Sequence, residues 1–167
     1  MTPHLLPPLH RPDAYTIDVS DESEDVEIKQ TVNKGRAVFA KRRLPANGQL
    51  DYGGVLINAT EKTQLLLSAT EQKNDLAAYL TESGDAGVFE DAHYRHKNKL
   101  TNKFGGVVNE PDEHATANMV LTINSKQRAA YVTVEEIAAG KELTGSYGDE
   151  FARLYTPGQP AQIPEWL

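Results

Sequence analysis

Apolar residues alternate with polar ones in several short stretches of this chain. Val26-Glu27-Ile28-Lys29-Gln30-Thr31-Val32 has a period near two, which predicts a strand and an onset of structure near Val26. Asn33-Lys34-Gly35 then makes a turn, and residues 36–42 (RAVFAKR) read as a second strand. LPANG (44–48) is another turn. QLDYGGVLI (49–57) reads as a third strand with a glycine pair inside it, a mark of a bulge or of close approach by a backbone or ligand. One stretch has helical spacing. Over residues 61–80, Leu65, Leu66, Ala69, Leu76 and Leu80 fall roughly on one face, with Asn58 and Glu61 at capping-box spacing ahead of them and a break near Lys73-Asn74. GVFEDA (87–92) suggests a short strand, and residues 93–106 are polar and irregular. MVLTIN (119–124) and RAAYVTV (128–134) pair as a hairpin across SKQ. Thr133 and Glu136, again at capping-box spacing, and Gly140 predict one short helical turn. The expected class is mostly β with minor α. The pattern has no strand–helix–strand rhythm, so a parallel nucleotide-binding sheet is not expected.

Charge divides the chain. Its net charge is −7, and residues 1–30 carry seven acids against Arg11 and Lys29. The body is nearly neutral, and residues 1–25 are expected to form an acidic, proline-rich arm, solvated or presented to a basic partner. No basic stripe interleaved with aromatics appears, so direct nucleic-acid binding is not expected. No run of 18 apolar residues occurs and the first residues lack a signal-peptide pattern. The expectation is a protein without a membrane anchor, intracellular, in cytoplasm or nucleus. The chain has no cysteine, which excludes disulfides, cysteine zinc sites and a thiol nucleophile.

Candidate chemistry is sparse. GRAVF (35–39) lacks the Gly-Lys-Ser/Thr ending of a phosphate loop, and no serine sits in a nucleophile elbow. Glu90, Asp91, His93 and His96 could be imagined around a metal, but on a strand His96 points away from the face that Asp91 and His93 share, so no metal is expected. Two tyrosines stand out. Tyr52 in DYGG and Tyr147 in GSYGDEF are each followed by glycine, which leaves room beside the ring. Two asparagines, Asn109 and Asn118, stand at the lips of the polar loop in VVNEPDEHATANM (107–119).

The order of these pieces resembles the SET-domain family of protein lysine methyltransferases over about residues 26–151. A GRAVFA strand comes first, then QLDYGG, a helical insert, the asparagine-lipped loop, and EEIAAGKELTGSYGDEF. The last segment is the strongest likeness, with Ile137, Gly140-Lys141-Glu142-Leu143-Thr144 and Tyr147-Gly148. The loop resembles the family's Asn-His-Ser-Cys-x-Pro-Asn motif, with Glu110 in place of histidine and three added residues. The resemblance implies a β-clip of short sheets with a C-terminal pseudoknot, and S-adenosyl-L-methionine and a lysine-bearing protein entering from opposite faces.

By that resemblance, Arg36, Ala37, Val38 and Phe39 lend main-chain contacts to the cofactor. Asn109 and Glu110 lie along it, and Asn118 also sits near it and helps hold the knot. Tyr147 stands beside the transferred methyl and Tyr52 lines the lysine channel. Leu121 takes a channel position that in the family influences how many methyls are added. Residues 152–167 form a possible lid over the lysine channel; Phe151, Tyr155 or Trp166 supplies its aromatic, with Phe151 and Tyr155 along the substrate channel. A histone tail is one candidate substrate, a non-histone protein another, and self-association into a homodimer is open. The competing expectation is a non-catalytic β-clip module that binds a protein partner, for which Glu110 in the histidine position is the argument.

Overall fold

The computed structural model describes residues 11–72, 80–91, 103–148 and 155–167. Among them, nine strands form three small sheets beside one α-helix. β1 (Tyr15–Thr16), β4 (Gly48–Asp51), β9 (Ala129–Thr133) and β8 (Met119–Ile123) make the largest sheet, in the order β1-β4-β9-β8. β2 (Val26–Gln30) and β3 (Arg36–Ala40) pair as a hairpin. β5 (Val55–Asn58), β7 (Val88–Asp91) and β6 (Leu80–Glu82) form the third sheet.

The two hairpins and the helix start follow local pattern. β8 and β9 pair from Met119↔Thr133 to Ile123↔Ala129. α1 (Ala59–Gln72) begins with a reciprocal capping box: Glu61 N–H donates to Asn58 Oδ1 at 2.8 Å and Asn58 N–H donates to Glu61 Oε1 at 3.2 Å. The helical pattern drawn to residue 80 overreaches, because Leu80 belongs to β6. Residues 73–79 lie outside the described set.

Three further expectations change. Structure starts well before Val26: β1 runs parallel to β4, and Ile17 is fully buried. The Tyr15 hydroxyl donates to the Pro45 carbonyl at 2.6 Å. Asp25 accepts from the Asp18 N–H and from Arg42 Nε, each at 2.7 Å. Residues 13–25 are therefore pinned to the body despite their charge. The QLDYGGVLI stretch is two strands in different sheets. Gly53 has φ of 71°, and a Cβ on Gly54 would lie 2.8 Å from Glu90 Cβ and 2.9 Å from Asp91 N. The close approach expected of that glycine pair is thus made by β7. The helical turn at residues 133–140 is absent. The Thr133 hydroxyl instead donates to the Pro45 carbonyl and accepts from Gly48 N–H, while Glu136 pairs with Arg43.

A core of Ile17, Val26, Val38, Leu44, Leu50, Phe104, Val108, Met119, Ile137 and Leu143 joins the large sheet to the β2–β3 hairpin. Each such side chain contributes about 1.5–3 kcal/mol on leaving water. The stretch 137–145 ties these parts together without belonging to a sheet. Ile137 and Leu44 exchange backbone bonds of 2.8 Å, and Leu143 N–H donates to the Val38 carbonyl at 2.8 Å. On its other flank, Thr144 runs beside Asn109, and Met119 N–H donates to the Thr144 carbonyl at 3.0 Å. Residues 141–145 thus lie between β3 and the segment that carries both asparagines.

Candidate functional site

The asparagines act on backbone. Asn118 is buried, and its amide faces residues 142–144. Nδ2 donates to the Glu142 carbonyl and Oδ1 accepts from Thr144 N–H, both at 2.9 Å. A side-chain amide supplies one donor and one acceptor in a plane, which suits two groups of a neighbouring strand. Asn109 Nδ2 donates to the Arg36 carbonyl at 2.8 Å, and the Asn109 carbonyl accepts from Gly145 N–H at 3.0 Å. The loop between them is therefore sewn to β3 at one lip and to residues 142–144 at the other.

Glu110 sits beside that seam and is 4% exposed. Its Oε2 accepts from Tyr147 N–H and its Oε1 from the Tyr155 hydroxyl, both at 2.9 Å. A buried carboxylate needs such donors to offset its lost hydration. The Tyr147 hydroxyl donates to the Val108 carbonyl at 2.7 Å. Main chain and side chain of Tyr147 are thus fixed to two neighbouring residues of one strip, Val108-Asn109-Glu110.

Two clefts adjoin this strip. A narrow one, about 90 Å³, is lined by Tyr52, Leu80, Thr81, Gly105, Gly106, Val108, Leu121, Tyr131, Ser146 and Tyr147. It is walled by aromatic rings: Tyr52 and Tyr131 lie 6.3 Å apart, tilted by 46°. Gly105 and Gly106, in the turn Gly105–Val107, add to its lining. A Cβ on Gly105 would fall 2.0 Å from the Tyr52 carbonyl oxygen, so only glycine allows that approach. A wide cleft, about 810 Å³, is lined by Asn33, Lys34, residues 109–115, Tyr155 and Thr156. Its surface is mostly apolar, and Lys34 Nζ lies within it, 2.8 Å from Glu142 Oε2 and 3.4 Å from Asp112 Oδ1.

The structure gathers Tyr52, Leu121 and Tyr147 around the narrow cleft and Asn109 and Glu110 along the wide one. Asn118 lines neither and works through residues 142–144. Among the β3 residues, Arg36 is exposed with its carbonyl held by Asn109, Ala37 and Val38 are buried, and Phe39 is half-buried under Lys29 Nζ, 5.5 Å from the ring centre. None of the four lines the wide cleft. Its wall there is the turn before them, Asn33-Lys34, which the strand pattern passes over as a connector. Tyr155, expected along the substrate channel, stands on the wide cleft, because Glu110 holds its hydroxyl there. Trp166 is half-buried and lines neither cleft, and Phe151 lies outside the described residues. The segment from Gly158 to Gln159 docks on the asparagine loop: Gly158 N–H donates to Pro111 O at 2.9 Å and Ala117 N–H to Gln159 O at 2.9 Å. Tyr131, Gly105 and Ser146 also escaped the sequence reading. Tyr131 belongs to a strand buried along its whole length, so no alternation marks its exposed side.

The remaining candidates have other occupations. Glu90, fully buried, accepts from Arg128 and from Ala129 N–H. His93 and His96 lie outside the described residues. No described helix is long and apolar enough to cross a membrane.

No family model matches the chain. A curated relative, the histone-lysine N-methyltransferase Set8 of Drosophila pseudoobscura pseudoobscura, is 26% identical over 140 residues, a match covering 78% of this chain and 18% of that protein. The chain thus spans less than a fifth of its relative's length. The likeness is distant and points towards the SET-domain family, with which a mostly β fold of small sheets and one helix is consistent.

Proposed function

We propose that this chain transfers a methyl group from S-adenosyl-L-methionine to a lysine side chain of a protein. The observation that carries the reading is the pair of unlike clefts that adjoin one strip, the narrow one at Val108 and the wide one at Asn109 and Glu110, with Tyr147 bonded to both Val108 and Glu110. The distant likeness to a histone-lysine methyltransferase supports it.

The wide cleft has the volume for a nucleoside-sized ligand, with an apolar surface suited to a base and charged groups at Lys34 and Glu110. Asn109, Glu110, Lys34 and Tyr155 are the residues placed to hold it. S-adenosyl-L-methionine supplies an electrophilic methyl on a sulfonium. The protein's task is then to deliver a neutral amine in line with it. Lysine carries an ordinary pKa near 10.4, and desolvation among Tyr52, Tyr131, Leu121 and Val108 disfavours its ammonium form. A cleft of about 90 Å³ admits an extended alkylamine and little else. Tyr147, fixed at its N–H and its hydroxyl, lines that cleft, and alignment of this kind is worth several kcal/mol. A basic segment such as a histone tail suits the net charge of −7.

Calorimetric titration with S-adenosylhomocysteine tests the reading without a choice of substrate. Saturable one-to-one binding, weakened by Asn109→Ala, is expected. Absence of binding would leave a protein-binding module without methyl transfer.

A further inference from the structure

Tyr131 lines the narrow cleft, and the proposed reaction uses its ring as apolar surface but gives its hydroxyl no task. It lies in the middle of β9, opposite Leu50 on one side and Leu121 on the other. It is 3% exposed. Its neighbours along the strand, Ala129, Ala130 and Val132, are apolar and buried. A phenylalanine would satisfy that packing, yet the chain places a hydroxyl there.

That hydroxyl makes no hydrogen bond among the described residues. Buried tyrosines ordinarily give their O–H a partner, because an unpaired polar atom costs stability. Among the described residues, Arg128 Nε is the one side-chain polar atom both enclosed and unpartnered. The Tyr131 oxygen is therefore unpartnered but not enclosed, and the open space beside its residue is the narrow cleft. The ring is also held. A Cβ on Gly145 would lie 2.5 Å from Tyr131 Cε1, so the glycine leaves room for this side chain and no other position for it is needed. The Tyr52 ring packs on it at 6.3 Å.

We propose that the Tyr131 hydroxyl is a substrate-contacting group of the narrow cleft, whose oxygen accepts a hydrogen bond from an N–H of the entering alkylamine. The assignment rests on the methyl-transfer reading for the identity of that amine as a lysine. Its chemistry is specific. An oxygen that accepts an N–H, with its own O–H turned away from the nitrogen, leaves the amine's lone pair free to face the electrophile. Burial, and then the charge of Glu110, push the Tyr131 phenol well above its ordinary pKa. It stays neutral, so it orients an amine without anchoring it as an ammonium.

The test uses n-butylamine, which has the length of a lysine side chain, titrated into the full chain carrying 13C-labelled tyrosine rings. In wild type the Tyr131 resonance should shift saturably. Tyr131→Phe should bind n-butylamine about fivefold more weakly, the effect of one hydrogen bond, with a thermal midpoint equal to or above that of wild type. Equal affinity in Tyr131→Phe, or a Tyr131 resonance that does not move, overturns the proposal. Parallel titration with S-adenosylhomocysteine separates the two readings. Cofactor-product binding without amine binding sinks the Tyr131 assignment alone. Amine binding at Tyr131 without S-adenosylhomocysteine binding upholds the assignment and sinks the methyl-transfer reading.

Discussion

Asn118→Ala should be among the most damaging single changes outside the apolar core. The side chain is 2% exposed and makes two backbone hydrogen bonds of 2.9 Å, to Glu142 and Thr144. Truncation leaves a buried carbonyl and a buried N–H unpaired, each at about 1–3 kcal/mol. The sum, about 2–6 kcal/mol, is a large part of the 5–15 kcal/mol typical of a domain. It corresponds to a fall of about 4–24 °C in melting midpoint for a chain of this size. Asn118→Asp separates the hydrogen-bond argument from simple loss of volume. The shape and the acceptor towards Thr144 are kept, but an oxygen replaces the donor facing the Glu142 carbonyl. A protonated carboxyl restores that donor. The Asp variant should therefore approach wild type in acid and lose stability as the introduced carboxyl ionises with rising pH. Urea unfolding of the three proteins across a pH series reads this out. Losses below about 1 kcal/mol in both variants, or a pH-independent gap between Asp and wild type, would refute the reasoning.

Two other outcomes follow from the geometry. Tyr147→Phe removes the hydroxyl that donates to Val108. It should keep the fold and S-adenosylhomocysteine affinity while slowing transfer to protein substrate about 10²-fold, the scale of one aligned polar group lost; unchanged turnover in a radiolabelled-methyl assay would remove Tyr147 from the reaction. Ile17→Ala should cost about 2–5 kcal/mol by urea denaturation, as for any fully buried isoleucine, and a neutral result would return residues 13–25 to the status of a solvated arm.

What could be read from the sequence was what local physics decides. The β8–β9 hairpin and the Asn58–Glu61 cap depend on residues a few positions apart, and both stand as read. β1 and β6 were missed because they are only two and three residues long and owe their existence to partners elsewhere in the chain, β4 and β7. Thr133 looked like a helix cap because its spacing to Glu136 is right, but the Gly48 amide and the Pro45 carbonyl outbid the helix for its hydroxyl. In the site, Tyr52, Tyr147, Asn109 and Glu110 were visible as residues in distinctive settings. Tyr131 and Lys34 were not, since a tyrosine in an apolar strand and a lysine in a turn look ordinary until distant segments close around them.

The position of residues 141–145 has a consequence for how the chain reaches its native state. Their partners come from both halves of the molecule: Val38 and Ala40 on one flank, Asn109 and Met119 on the other. The Lys34–Glu142 pair links positions 108 apart. Bonds of such separation close large loops, whose entropy is lost before the contacts compensate for it. The β2–β3 hairpin can form early, yet its Val38 face stays without its cover until Leu143 arrives. A ribosome must therefore release most of the sequence before the core can close, and a chain cut short of Leu143 keeps an apolar hairpin exposed to chaperones and proteases. Synthesis of this protein should be completed as a late, cooperative event rather than strand by strand.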